Sequence, residues 1–133
     1  MQFSIKGYII DLLIVLGLSA LGGFLIGFFG AFTSIDDELK MMLIALSNLI
    51  SILIGFWIVG CINKTGELSR FKYLAYVMVG VWLFGLVNVA LFNFSIYQWI
   101  ASGIPIVIMG VLGGGISFLT CKAVENQEEN TQQ

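Results

Sequence analysis

The chain has 133 residues and a net charge of −2; 59% of its residues are hydrophobic, 14% aromatic and only 11% charged. A soluble domain carries about 25% charged residues, whereas the mean hydropathy of this chain is +1.00. These values exclude an ordinary soluble domain, a disordered chain and a nucleic-acid-binding protein, which would need a basic surface. The composition predicts an integral membrane protein, with the lipid bilayer as its first partner and no nucleic acid.

Four uncharged or nearly uncharged segments are long enough to cross a bilayer as helices, which takes about 20 residues for a ~30 Å hydrocarbon core. They lie at 8–32, 41–62, 73–94 and 99–121. None shows the alternation that is typical of a membrane β-strand, and the short links favour antiparallel neighbours. We predict an all-α membrane protein with a four-helix transmembrane bundle over 1–122 and a polar tail over 123–133.

Lysine and arginine are distributed unequally between the two sets of helix ends. Five of the six basic residues fall on one side, namely Lys6, Lys64, Arg70, Lys72 and Lys122, and only Lys40 falls on the other. The positive-inside rule therefore predicts that both termini are cytoplasmic, and we expect a bacterial cytoplasmic (inner) membrane. Cys61 and Cys121 fall on the same, reducing side, so we expect no disulfide between them.

Small residues recur at four-residue spacing, the pattern that lets membrane helices approach closely. The sets are Ser19, Gly23, Gly27 and Ala31 in the first helix, Ser47, Ser51 and Gly55 in the second, and Gly110 and Gly114 in the fourth. They can serve packing within one monomer, or one set can join copies of the chain. Because the sets are numerous, we expect some homo-oligomer or a contact with another membrane protein.

A polar layer is predicted in the outer half of the bundle. At a rise of ~1.5 Å per residue, Asn48, Asn88 and Pro105 all lie roughly 9–10 Å below the outer surface. Pro105 also removes the usual hydrogen-bond partner of the Ala101 carbonyl. One hypothesis is that these groups form hydrogen bonds with one another and only stabilise the bundle. The other is that they line a path or a small solute site, and Ser51 would then face the same site.

Acidic residues occur at two places. Asp11 is the one ionisable residue inside a predicted span, which makes proton or cation handling a hypothesis. A position in the first helical turn, within reach of headgroup water, would explain it as a capping and interface residue instead. Asp36, Asp37 and Glu38 stand at the outward start of the second helix, with Ser34 as the expected cap. In an oligomer the same acids would form a ring at an outer mouth.

Catalytic patterns are missing from the sequence: it has no histidine, no CxxC, no HExxH and no P-loop. We therefore expect no enzyme and no cofactor or metal. The leading hypothesis is an accessory, assembly or immunity-type component that acts through helix–helix contacts. The alternative is a small homo-oligomeric channel or facilitator for ions or a small neutral solute.

Overall fold

A computed structural model describes residues 5–62, 67–93 and 95–131. Its helices are α1 (Ile5–Phe32), α2 (Asp37–Ile62), α3 (Glu67–Phe84), α4 (Leu86–Phe92) and α5 (Ile96–Thr131). Four stretches are long and apolar enough to cross a membrane: Ile5–Phe32, Asp37–Ile62, Arg70–Leu91 and Ile96–Cys121. The prediction of an all-helical protein with four candidate spans is confirmed for the described residues.

The third span is interrupted where a single helix was predicted. At Gly85 the backbone N–H points at two carbonyls, 3.2 Å from that of Val81 and 3.0 Å from that of Trp82. The Trp82 carbonyl also accepts a 2.8 Å hydrogen bond from the Trp99 indole. This competition ends α3, and the chain resumes as α4 until Asn93, whose φ of 52° is left-handed.

The helices form a bundle with two distinct ends. We call the end with Phe32, Asp36, Asp37 and Glu38 the acidic end, and the end with Lys6, Arg70, Lys72, Cys61 and Cys121 the basic end. Helix α2 packs between α1 and α5, and α3 contacts all three of them. Helix α5 runs to Thr131, beyond the predicted span, so the region predicted as a polar tail continues the helix.

The tightly packed core lies in the half of the bundle next to the basic end. Val15 of α1, Phe56 and Val59 of α2, and Leu74 and Val77 of α3 are fully buried there. The buried core residues come from α1, α2, α3 and α5, while most other large apolar side chains remain exposed on the outer faces. This is the distribution expected where the bilayer replaces water around the bundle.

Small residues on α2 and α5 provide the closest helix contacts. A Cβ at Gly55 would stand 3.0 Å from the Cα of Val15, and a Cβ at Gly113 would stand 2.7 Å from the Leu53 carbonyl. Cβ atoms at Gly110 and Gly114 would likewise meet Met78 and Leu74. These glycines allow backbones to approach where a larger residue would separate the helices.

On α1 the contact face differs from the predicted small-residue set. Gly22, which lay outside that set, packs against the hydroxyls of Ser47 and Ser51 on α2. Gly23 and Gly27 have nothing within 4 Å of a built Cβ, and Ala31 is exposed. The four-residue pattern therefore identified small residues on α1 but not the face that meets α2.

The expectation of unpaired cysteines is wrong. Cys61 at the end of α2 and Cys121 on α5 form a disulfide, with their Cα atoms 5.8 Å apart. The two residues come together because α2 and α5 pack along their length and both cysteines fall at the basic end. The disulfide joins these two helices covalently across 60 positions of sequence.

Candidate functional site: an amide-lined cavity

A cavity of about 370 Å³ occupies the half of the bundle next to the acidic end. Four of its lining residues have polar side chains, and they come from four helices: Ser19, Asn48, Asn88 and Ser102. The rest of the lining is apolar or glycine: Leu16, Ala45, Leu49, Ile52, Val81, Phe84, Gly85, Pro105 and Ile106. The structure thus brings Asn48, Asn88 and Pro105 to one space, at the level where the sequence suggested a polar layer.

Asn48 is held by a neighbour on α1. The Ser19 hydroxyl donates a hydrogen bond to the Asn48 side-chain oxygen, which joins α1 to α2 at the cavity wall. A carboxamide has two further N–H donors. Because the bond from Ser19 uses only the oxygen, these donors remain for water or a bound molecule.

Asn88 reaches the cavity because α3 is interrupted and α4 restarts the span. Its backbone N–H bonds to the Gly85 carbonyl at 3.1 Å, within the first turn after the interruption. Within the described part of the chain, the structure gives its side-chain amide no hydrogen-bond partner. Asn48 and Asn88 therefore face one cavity without being paired to each other.

On the α5 side the cavity is lined by Ser102 and Pro105. The Ser102 hydroxyl donates to the Trp99 carbonyl at 2.6 Å, which leaves its oxygen able to accept. Pro105 is inside a continuous helix. Ala101, whose carbonyl was the predicted polar group, is exposed and does not line the cavity.

The cavity lies beside a gap between α4 and the helices α1 and α2, and it is closed toward the basic end. No Cα atom of α4 comes within 8 Å of α1 or α2 in the described chain, so a gap separates them. At the other side, Ile52, Val81 and Ile106 form the buried floor. Fully buried core residues lie beneath this floor, so the cavity is a dead end in this conformation.

The remaining predicted polar residues lie away from the cavity. Ser51 is at the contact with Gly22. Asp36, Asp37 and Glu38 are exposed at the acidic end, and the last two occupy the first turn of α2, where the helix dipole favours a carboxylate. Because α2 begins at Asp37, Asp36 rather than Ser34 stands at its cap position.

The interpretation of Asp11 as a first-turn, water-facing residue is wrong. Helix α1 begins at Ile5, so Asp11 is beyond its first turn, and its side chain is only 4% exposed. The Tyr73 hydroxyl donates a hydrogen bond to its carboxylate. A polar group buried this far needs such a partner, and the sequence could not show that α3 supplies it.

Sequence reasoning also missed a tryptophan pair beside the cavity. Trp82 of α3 and Trp99 of α5 stack with ring centroids 4.4 Å apart and an interplanar angle of 9°. In the sequence, the feature that came nearest to indicating this pair was the position of Trp82 in the middle of a predicted span, which is unusual for a tryptophan. The pair fixes the interruption after α3 against α5 and so helps to place Asn88.

The described residues include no group of three His, Cys, Asp or Glu side chains that could hold a metal ion. No protein-family model, curated protein or solved structure matches the chain.

Proposed function

We propose that this protein is a small multi-pass membrane facilitator whose cavity receives a small, neutral, hydrogen-bonding solute from the acidic end. The observation that supports this most directly is the shared cavity of Asn48 and Asn88, whose amides are not bonded to each other. Two amides that only locked the bundle would be expected to bond together and leave the centre dry. Here they instead present free donors to an open space.

The lining favours a neutral solute over an ion. Among the described residues that line the cavity, none has an ionisable side chain. An ion entering it would lose hydration without meeting an opposite charge, which is costly in an apolar medium. A volume of about 370 Å³ is at the lower end of the roughly 300–1,000 Å³ that is typical of small-molecule sites.

The test is solute entry into proteoliposomes, followed by light scattering after mixing with glycerol or urea. Wild-type protein should accelerate swelling relative to empty liposomes, and Asn88→Leu should remove most of that acceleration. Val87→Leu is the matched control, because Val87 is the exposed neighbour of Asn88 and does not line the cavity. Equal swelling with wild-type protein and with empty liposomes would reject the proposal.

A second candidate function is an accessory or assembly component that acts through helix–helix contacts, including self-association. The observation in its favour is that a Cβ at Gly23 or Gly27 of α1 would meet no atom of another described helix within 4 Å, and that Ala31 is exposed. A helix of a second copy or of another membrane protein would lie against this face. Gly23→Leu should then dissociate the complex, whereas it should leave the particle size unchanged if the protein is a monomer.

We further propose that the basic end faces the cytoplasm of a bacterial inner membrane. The five-to-one distribution of lysine and arginine supports this orientation. A disulfide at that end would be reduced by cytoplasmic thiols in the cell and would close on oxidation. Labelling of single cysteines at Ser34 and at Lys6 with a membrane-impermeant maleimide in intact cells tests it: only the Ser34→Cys variant should react.

A further inference from the structure

The gap beside the cavity lies in the wall of the bundle. Helix α1 contacts α2 and α3, helix α5 contacts the same two, and no Cα atom of α1 comes within 8 Å of α5 in the described chain. Helices α1 and α3 are therefore neighbours around the bundle. Because α4 extends the third span toward the acidic end without approaching α1, the wall is parted there. We call this part of the wall, between residues 16–27 of α1 and α4 (Leu86–Phe92), the slot.

One face of α1 meets α3 near the basic end and then continues along the slot. A Cβ at Gly80 of α3 would stand 2.8 Å from Cδ1 of Leu12, so the two helices are in close contact there. Leu16, which lines the cavity, and Gly23 follow Leu12 by four and eleven positions, about one and three turns, and so lie on the same face. A Cβ at Gly23 would meet nothing within 4 Å. No described residue therefore fills, beside Gly23, the place that α3 fills beside Leu12.

The cavity lining is buried at its floor and exposed beside the slot. Ile52, Val81 and Ile106 of the floor are at most 9% exposed, whereas Phe84, which also lines the cavity, is 54% exposed. Asn88 follows Phe84 by four positions and is exposed as well. Both residues belong to the third span, which forms one side of the slot. The slot thus gives access to the cavity.

The slot is at the depth of the lipid chains. Gly23 stands nine residues before the end of α1 at Phe32, which is roughly 14 Å along the helix axis, and the hydrocarbon core of a bilayer is ~30 Å thick. Large side chains next to the slot are apolar: Phe24 is 67% exposed, and Leu91, one turn after Asn88, is 70% exposed. A molecule that reaches the cavity through the slot therefore comes from the lipid phase rather than from water.

The polar groups of the cavity favour an uncharged group that forms hydrogen bonds. The amide N–H groups of Asn48 are donors for which the described chain supplies no acceptor, and the Ser102 oxygen is able to accept. A hydroxyl or a primary amide both donates and accepts, so it can bond to both residues. A carboxylate or a phosphate would instead lose its hydration among described lining side chains that carry no charge.

We propose that the cavity takes up, through the slot, a neutral amphiphile with one alcohol or amide group and one hydrocarbon chain. The inference rests on the proposed function, since it uses the same cavity, and it extends the ligands to molecules dissolved in the bilayer. The polar group lies between Asn48 and Asn88, and the chain leaves between Gly23 and Leu91 for the lipid. A helix lying against the slot would cover it without serving the amides, because a membrane helix satisfies its own backbone groups. A single chain with a polar end does both.

Photolabelling in proteoliposomes tests the site. The probe is hexadecanol with a diazirine on the carbon chain close to the hydroxyl, and labelled peptides are mapped by mass spectrometry. We expect label on the floor residue Ile52, and an excess of hexadecanol, but not of hexadecane, should remove it. Asn88→Leu should reduce this label about five- to tenfold, the usual effect of losing one hydrogen bond. Val87→Leu should keep it, because Val87 does not line the cavity.

A second pair of variants tests the slot. Gly23→Leu places a side chain in the slot and should lower the label on Ile52 to a similar extent. Gly17→Leu is the matched control and should keep the label: a Cβ at Gly17 would also meet nothing within 4 Å, but Gly17 lies roughly 120° around α1 from Gly23. Label that Asn88→Leu or Gly23→Leu leaves unchanged, or that hexadecane also removes, would overturn the inference. A smaller particle in Gly23→Leu would overturn it too, because a helix would then cover the slot.

Swelling in glycerol separates this inference from the proposed function. Wild-type swelling without specific label on Ile52 would overturn the amphiphile site and leave the facilitator standing. Specific label without swelling would reject the facilitator and retain the amphiphile site in the same cavity.

Discussion

The indole rings of Trp82 and Trp99 stack on each other, and each donates a hydrogen bond to the other residue's backbone carbonyl. The Trp82 indole is 3.1 Å from the Trp99 carbonyl, and the Trp99 indole is 2.8 Å from the Trp82 carbonyl. Both indole donors are thereby satisfied in an environment where an unmade hydrogen bond is costly. The reciprocal pair joins α3 to α5 at the interruption from which α4 restarts.

Replacing one ring of this pair should destabilise the protein. We expect Trp82→Phe to lower the free energy of unfolding by about 2 kcal/mol, since it loses one hydrogen bond and part of the stacking. The double variant with Trp99→Phe should lose less than the sum of the two single changes, because both remove the same contact. Unfolding in mixed detergent micelles measures this, and strictly additive losses would contradict the reciprocal pairing.

Glycine-to-alanine substitutions should distinguish glycines at close helix contacts from glycines on open helix faces by their effect on stability. Gly113→Ala should cost about 1–3 kcal/mol, because its Cβ would meet the backbone of α2, which cannot move aside easily. Gly23→Ala should be neutral or stabilise by up to ~1 kcal/mol, because nothing lies near its Cβ and alanine favours the helix. Thermal unfolding of the two variants, compared at the same detergent concentration, checks this ordering.

The two cavity asparagines should differ in their effect on stability. Asn48→Leu removes the acceptor of the Ser19 hydroxyl and should cost about 1 kcal/mol, the usual scale for an interhelical hydrogen bond in a membrane. Asn88→Leu breaks no side-chain hydrogen bond within the described chain and should leave the unfolding midpoint unchanged. Equal destabilisation by both changes would indicate that Asn88 also locks the bundle.

The disulfide should be detectable as blocked thiols. Purified, air-exposed protein should react with maleimide only after reduction, and Cys61→Ser should free one thiol without reductant. Reduction should lower the free energy of unfolding by about 2–4 kcal/mol, because the unfolded chain then gains conformational freedom. Two reactive thiols before reduction, in protein kept from air, would mean that the cell holds the cysteines reduced.

The sequence alone determined that the chain is helical and has four candidate spans. This is because a helix must satisfy its own backbone within the bilayer, so length and hydropathy of each segment suffice. It also indicated that Asn48, Asn88 and Pro105 share one depth, because the rise along a helix is constant. These inferences need only distances along the chain.

Which side chains face one another was decided by the tertiary structure. Every face of these helices is apolar, so no periodic pattern shows the rotation of one helix against the next. That rotation places Gly22 rather than Gly23 against α2, gives Asp11 its partner Tyr73, and joins Cys61 to Cys121. It also leaves α4 apart from α1, which opens the cavity that Asn48 and Asn88 line.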